Sequence, residues 1–312
     1  MRTKNNNLIR EHINIINRVI DYIDQNVDGE LSLERVATVV AVSPSYLHRM
    51  FTKVTGDKLH SYILRTRLQK AVHYLVFFPL LTITEIAYEC SFSSLSDFSR
   101  VFKKVTGSNP ESFRTHYPII NRKICQIEDK EWESYFVQNL YNKDQSDRKA
   151  THQLRVSIRE FPNKNIYYIR HFGKRNYAKL ESDVQDSFMT LSNMTTRNGL
   201  WSSGTYLLGI PKFSLFTLPF LDFGYDACIT TPRKVEVAEE IGMRNLQGGR
   251  YAVLRFEEAE QLMESFVHCL LHCWLPNSGY TYDYRPAMFI SYNDPSSHPE
   301  RKWIVDICLP IK

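Results

Sequence analysis

The sequence predicts a molecule in two parts. An all-α N-terminal domain with two helix-turn-helix units is followed by an α+β domain whose antiparallel sheet is pseudo-two-fold. Three observations point there. The stretch Thr82–Arg114 has the caps and apolar spacing of two short helices joined by a tight turn. An imperfect copy of it begins at Leu33. From Leu154 onward the helical spacing gives way to alternating runs, laid out twice as strand-strand-helix-strand-strand.

In chain order, Ile9, Ile13, Ile16, Ile20, Ile23 and Val27 recur at steps of four and three, an amphipathic helix over Leu8–Asn26. Asp28-Gly29 ends it, and Ser32 caps a short helix through Leu33-Glu34-Arg35-Val36-Ala37. Ser43-Pro44 reads as N-cap and first-turn proline of the next helix. Leu59 to about Phe77 is one helix with Leu64, Leu68, Ala71, Val72 and Leu75 inward. At 1.5 Å per residue it is roughly 27 Å long. Thr82 and Glu85 form a capping box, and Ile83, Ile86 and Ala87 give the following helix its apolar face. That helix ends near Cys90-Ser91-Phe92, and Ser93 and Ser94 are both good caps for another. There Phe98, Val101, Phe102 and Val105 face inward, while Ser96, Asp97, Arg100, Lys103 and Lys104 face out. After a one-residue slip, Arg49, Phe51, Lys53, Val54, Thr55 and Gly56 match Arg100, Phe102, Lys104, Val105, Thr106 and Gly107. A polar, basic second helix after a tight turn is built to enter the major groove of DNA. The long helix can hold two of them about one DNA turn, roughly 34 Å, apart.

Charge agrees with that reading. Residues 1–125 hold 17 Lys+Arg against 11 Asp+Glu, and the rest of the chain 22 against 23. The net charge of +5 therefore lies where the repeat lies, as contact with phosphates requires. Length, 312 residues with 43% hydrophobic and 23% charged, suits two ordinary domains. The six cysteines follow no framework spacing, which favours reduced thiols. The polar N-terminus and the lack of an 18-residue apolar run lead to the expectation of a soluble, cytoplasmic protein without membrane contact.

Residues 128–141 have a helical pattern, and Asn142–His152 is nearly free of apolar residues and reads as a linker. Leu154–Ile158 and Ile166–Phe172 read as strands, Tyr177 to about Met194 as a helix, and Tyr206–Ile210 and Asp226–Thr231 as strands. The order then returns: Val235–Ile241, Gly248–Phe256, a helix over Ala259–Trp274, and strands at Ala287–Tyr292 and Lys302–Leu309. The expected partition is 8–118 for the helical domain, 119–152 for the connecting segment and 153–312 for the sheet domain.

The first domain resembles the DNA-binding domain of the AraC/XylS family of bacterial transcription regulators. Ile86-Ala87, Phe92-Ser93-Ser94, Phe98-Ser99-Arg100-Val101-Phe102-Lys103, Gly107, Pro110 and Phe113-Arg114 stand at the family spacing, in a match covering about Ile13–Tyr117. The resemblance implies base-facing roles for Ser45, His48 and Arg49 in the first recognition helix and Ser96, Asp97 and Arg100 in the second. One departure is Ser91, where the family usually has glycine; a positive φ there costs serine energy.

The second domain resembles the GyrI-like effector-binding domain of Rob-like regulators. Gly248-Gly249-Arg250-Tyr251-Ala252-Val253, Trp274-Leu275-Pro276-Asn277-Ser278-Gly279-Tyr280, Tyr292-Asn293-Asp294-Pro295 and the terminal Leu309-Pro310-Ile311-Lys312 carry it. The resemblance implies an aromatic-walled cleft for small organic molecules, with Tyr168, Tyr206, Trp274, Phe289, Ile290 and Tyr292 as candidate lining. Ile290 stands where many relatives place a glutamate two residues before the tyrosine. An aliphatic side chain neither neutralises a buried cation nor moves a proton. That points to a neutral or anionic apolar effector and away from the hydrolytic relatives. No phosphate loop, nucleophile elbow or paired carboxylates appear, so no enzyme activity and no cofactor are expected. His268, Cys269, His272 and Cys273 have metal-ligand spacing, but they cannot all converge from one helix, so no metal is expected. The leading reading is a DNA-binding regulator responding to a small molecule. The competing ones are a GyrI-like hydrolase on a DNA-binding module, and an interaction module contacting RNA polymerase, a partner protein or its own copy.

Overall fold

The computed structural model describes residues 2–116, 155–173, 177–212, 223–238 and 240–312. The helix expected over 128–141 and the linker over 142–152 lie outside the described residues. The helical part comprises α1 (Arg2–Gln25), α2 (Leu33–Val39), α3 (Pro44–Thr55), α4 (Leu59–Phe77), α5 (Ile83–Glu89) and α6 (Leu95–Thr106), then a helical stretch over 110–116. Ser32, Ser43, Thr82 and Ser94 each accept from the backbone N–H three residues on. Of the two serines available before α6, Ser94 is the cap. Gly56 and Gly107 end α3 and α6 in the left-handed conformation that glycine reaches without steric cost.

The two units have separate cores. Ile16, Ile20 and Ile23 of α1 pack with Leu47, Met50 and Phe51 of α3 and with Leu59, Tyr62 and Ile63 of α4. Leu68, Ala71, Val72 and Leu75, further along α4, pack with Ile86, Ala87, Phe98, Phe102 and Phe113. One helix thus serves both cores, and each buried Leu, Ile or Phe contributes about 1.5–3 kcal/mol. A polar tie crosses between the units. Arg67 of α4 donates to Gly29 O (2.9 Å) and Val27 O (3.4 Å) after α1, and to Ser91 O (3.1 Å) in the second turn. Ser91 Oγ donates to Asp28 O at 2.6 Å. Ser91 does take a positive φ, 55°, and so does its counterpart Ala41, 58°. The turn geometry is therefore kept without glycine.

The second part is an eight-stranded antiparallel sheet of β1 (Val156–Phe161), β2 (Lys164–Gly173), β3 (Leu207–Pro211), β4 (Phe223–Thr231), β5 (Gly242–Leu246), β6 (Gly249–Glu258), β7 (Met288–Ser291) and β8 (Trp303–Pro310). The order is β1-β6-β8-β7-β3-β4-β2-β5. Its halves mirror each other about the β3–β7 pair, and the outermost strands are exchanged: β1 pairs with β6, and β5 with β2. Two helices, α7 (Tyr177–Arg197) and α8 (Met263–Cys269), complete the repeats. After α8 the chain winds as a π turn, Leu270–Trp274, where the sequence pattern predicts regular helix to Trp274.

Among the described residues the strand expected over Val235–Ile241 does not form; β5 begins at Gly242. The reason is a side-chain competitor. Tyr167 Oη donates to Val235 O at 2.8 Å and accepts from Val235 N at 2.6 Å, so the backbone of Val235, at the head of the segment, is satisfied without a ladder. Val235 and Val237 instead pack beside Tyr167, Ala227, Ile229 and Leu191.

Alternation along the strands separates two faces. The outer face, with Tyr167, Ile229, Ala252, Leu254, Phe289 and Ile307, packs on the helices. The inner face carries Ile166, Tyr168, Leu208, Ile210, Cys228, Tyr251, Val253, Met288, Ile290 and Cys308. It is turned toward the helical part. Tyr168 and Arg170 reach Asp21 of α1, while His73 and Phe77 of α4 lie against Tyr282, which packs with the outer-face core.

Candidate DNA-reading helices and effector face

Ser45, His48 and Arg49 are exposed along α3, and Ser96 and Arg100 along α6; Asp97 is half-buried. These side chains project because the opposite stripe of each helix, Leu47, Met50 and Phe51 or Phe98, Val101 and Phe102, is fixed in a core. Asp97 donates its backbone N–H to the Ser94 cap, and its Oδ1 accepts from Arg100 Nη2 at 2.6 Å. Among the described residues Arg49 has no such partner. Lys103 and Lys104 add exposed charge to the last turn of α6. An arginine fork on such a helix can bond guanine O6 and N7 together.

The inner face of the sheet carries an ionic unit twice. In the first half Asp226 of β4 accepts from Arg170 of β2 (2.7 and 2.9 Å), pairs with Arg244 of β5 (2.8 Å), and lies 3.5 Å from Lys212 after β3. In the second half Asp306 of β8 accepts from Arg255 of β6 (2.5 Å), Arg159 of β1 (2.7 Å) and Tyr292 Oη after β7 (2.7 Å). Registers make the correspondence exact in sequence terms: Asp226 and Cys228 face Ile210 and Leu208, as Asp306 and Cys308 face Ile290 and Met288. Burial alone would raise both carboxyl groups. For Asp226 the charges of Arg170, Lys212 and Arg244 outweigh burial and hold it well below the ordinary range. For Asp306 the bonds from Arg255 and Tyr292 and the charge of Arg159 do the same. Anionic and fully engaged, neither carboxylate suits proton transfer near neutral pH.

The candidate lining residues fall in different places. Tyr168 and Ile290 are buried in the inner face and Tyr206 is packed at its margin. Tyr292, 46% exposed, stands at the rim over Asp306, with Arg255 4.4 Å from its ring centre. Phe289 and Trp274 lie across the sheet in the outer core, Trp274 stacked on Tyr280. The geometry brings Tyr168, Tyr206, Ile290 and Tyr292 to one face and does not bring Phe289 or Trp274 there. The arginines and aspartates of the inner face carry more of its chemistry than the aromatics. The repeated Asp-x-Cys of Asp226–Cys228 and Asp306–Cys308 is their signal in the sequence. The His268, His272 and Cys273 side chains lie outside the described ones, while Cys269 is buried and in no disulfide.

A family model described as a GyrI-like small molecule binding domain matches residues 154–312, and one described as a helix-turn-helix domain matches 36–116. The chain belongs to the GyrI-like family. With its AraC-type helix-turn-helix domain, this GyrI-like protein has the make-up of a DNA-binding transcription regulator. It is 38% identical to the TetD protein of transposon Tn10 from Escherichia coli over 103 residues, 33% of this chain and 74% of that one. It is 34% identical over 97 residues to the HTH-type transcriptional regulator YijO of Escherichia coli K12, 31% of this chain and 34% of YijO. The chain thus spans about a third of the length of YijO. The C-terminal domain of AraT, a response regulator from Geobacillus stearothermophilus, is 33% identical, covers 32% of this chain and 84% of its own, and superposes with a TM-score of 0.31. No helix among the described residues is long and apolar enough to cross a membrane.

Proposed function

We propose that this protein regulates transcription by reading two adjacent major-groove sites with α3 and α6, and that a small apolar molecule, neutral or anionic, bound on the inner face of its sheet alters that reading. Ser45, His48 and Arg49 would face bases of one half-site, and Ser96, Asp97 and Arg100 those of the other. The observation that carries the proposal is the placement of α4. It belongs to the cores of both reading units, and its His73 and Phe77 lie against Tyr282 of the sheet domain. α1, which Tyr168 and Arg170 of the effector face hold through Asp21, packs in the same core as α4, so a change on that face reaches both recognition helices through α4. Binding rather than catalysis fits the inner face, where Asp226 and Asp306 are both locked in ion pairs and Ile290 offers no acid or base. The domains would act as 8–118 and 153–312, in the cytoplasm, with RNA polymerase as the further partner at a promoter.

The test is selection of DNA from a random duplex library by the full chain, followed by affinity measurement on the selected site. Recovery of a bipartite site with half-site centres about one helical turn, 10–10.5 base pairs, apart is the expected result. Recovery of no preferred sequence would overturn the proposal.

A further inference from the structure

The two ionic units of the inner face differ in what meets them from outside the sheet. In the second half Asp306 is held by Arg159, Arg255 and Tyr292, and the two arginine side chains remain 43% and 40% exposed. In the first half Lys212 stands where Tyr292 stands, so three cations face the single carboxylate of Asp226. The surplus is met by α1. Asp21 Oδ2 accepts from Tyr168 Oη at 2.5 Å, and Oδ1 accepts from Arg170 Nη2 at 2.8 Å and Arg244 Nη1 at 3.0 Å. Asp24 pairs with Lys212. The second unit shows that an aspartate, two arginines and a tyrosine hydroxyl suffice within a repeat. Asp21 and Asp24 are thus guests in the first unit.

The seat that Asp21 fills is shaped for a carboxylate. The ring of Tyr168 is flanked by both guanidinium groups, at 4.6 Å from Arg170 and 5.0 Å from Arg244. Gly242 makes room for that ring; a Cβ there would come within 2.2 Å of it. The bordering side chains Ile166, Ile210 and Cys228 are apolar. The fit of α1 over the seat is imperfect. Asn17, one turn before Asp21 and therefore on the same helix face, is 2% exposed, and neither atom of its amide has a hydrogen-bond partner among the described residues. Such unmet groups weaken the docked state relative to one in which α1 is released.

We propose that this seat is the anion subsite of the effector face, and that a small organic carboxylate takes it by displacing Asp21 and releasing α1 from the sheet. The inference rests on the reading of the inner face as the effector site. A free carboxylate can shift the equilibrium because it binds the released state and not the state in which Asp21 already holds the seat. Release reaches DNA because the adjoining face of α1, Ile16, Ile20 and Ile23, is part of the core that fixes α3.

The experiment uses the full chain, with 2-naphthoate and its neutral amide, 2-naphthamide, as probes. Titration calorimetry reads affinity, and amide hydrogen exchange reads protection of residues 10–25. The expected result is that naphthoate binds more tightly than the amide and accelerates exchange in α1. Asp21→Asn removes the competing charge, and should tighten naphthoate at least tenfold and the amide less than twofold. Arg244→Gln should reverse the preference. Should Asp21→Asn not fold, Asp24→Asn, whose partner Lys212 belongs to the same seat, should tighten naphthoate in the same direction. Equal tightening of both probes, or bound naphthoate with α1 still protected, overturns the displacement and leaves the face as a ligand site. Failure of both probes to bind either form overturns the reading of the inner face, and this inference with it.

Discussion

Arg49 and Arg100 hold equivalent positions on the two candidate reading helices but start from different states, since Arg100 is tied to Asp97 at 2.6 Å and Arg49 is tied to none of the described residues. Arg49→Ala should cost about 1–3 kcal/mol on the selected site and relax its half-site, with little loss on random duplex. Equal losses in a fluorescence titration with both DNAs would assign Arg49 to phosphate alone. A second prediction concerns the turns. Ala41 at φ 58° has an exposed methyl side chain that can form no hydrogen bond, whereas Ser91 at φ 55° donates its hydroxyl to Asp28 O. The left-handed region costs an alanine about 1–2 kcal/mol, and glycine returns part of that gain through unfolded-state entropy. Ala41→Gly should therefore stabilise the protein by about 0.5–1 kcal/mol in urea unfolding. Ser91→Gly should stabilise less or destabilise, because it forfeits the hydroxyl bond.

Among the elements, α4 sets the distance between the reading helices, and Arg67 sets their relative orientation by binding carbonyls on both sides of the seam. Arg67→Ala should weaken binding to the bipartite site by about 1–2 kcal/mol while changing single half-site affinity far less, as the orphaned carbonyls let the units rotate. Gel-shift titrations on duplexes with one and two half-sites would measure the difference. The helical elements were legible in the sequence because each is set locally: Ser43-Pro44, the Thr82–Glu85 box and Gly107 act within a few residues. Strand candidates were legible where alternation is strong, as at Ile166–Phe172. Val235–Ile241 misled because its valines look like a strand, while the Tyr167 hydroxyl that claims its backbone is 68 residues away. The same limit hid the seat around Asp21, whose partners Arg170 and Arg244 are 149 and 223 residues distant. Charged residues spread that widely read as solvated surface until the fold collects them.

Across the whole molecule, the contact between α4 and the sheet domain contains a built-in acid response. His73 is 7% exposed among Tyr282, Tyr284 and Phe77, and its Nε2 has no hydrogen-bond partner among the described residues. Burial lowers its pKa to about 3, with Asp283 opposing that shift and Lys312 and Lys70 adding to it. A base with a depressed pKa takes up its proton in the unfolded chain first, so its contribution is complete above about pH 6.5 and is lost as pH falls toward 3. Stability should decline over that window by up to about 1.4 kcal/mol per pH unit. His73→Phe should flatten the decline in urea midpoints measured between pH 7 and 5. An unchanged slope would place the titration elsewhere. The exchanged outer strands have a consequence in time. Ser157 of β1 meets Val253 of β6 across 96 residues, and β6 is joined to the rest of the sheet only through β8, where Leu254 faces Ile307, so the sheet cannot close until nearly all of its chain exists. The reading units are built mostly from neighbours in sequence, and distant pairings form slowly because long loops must close first. On the proposed function, α3 and α6 would therefore be ready for DNA before the sheet is, and each newly made molecule would pass through an interval without effector control.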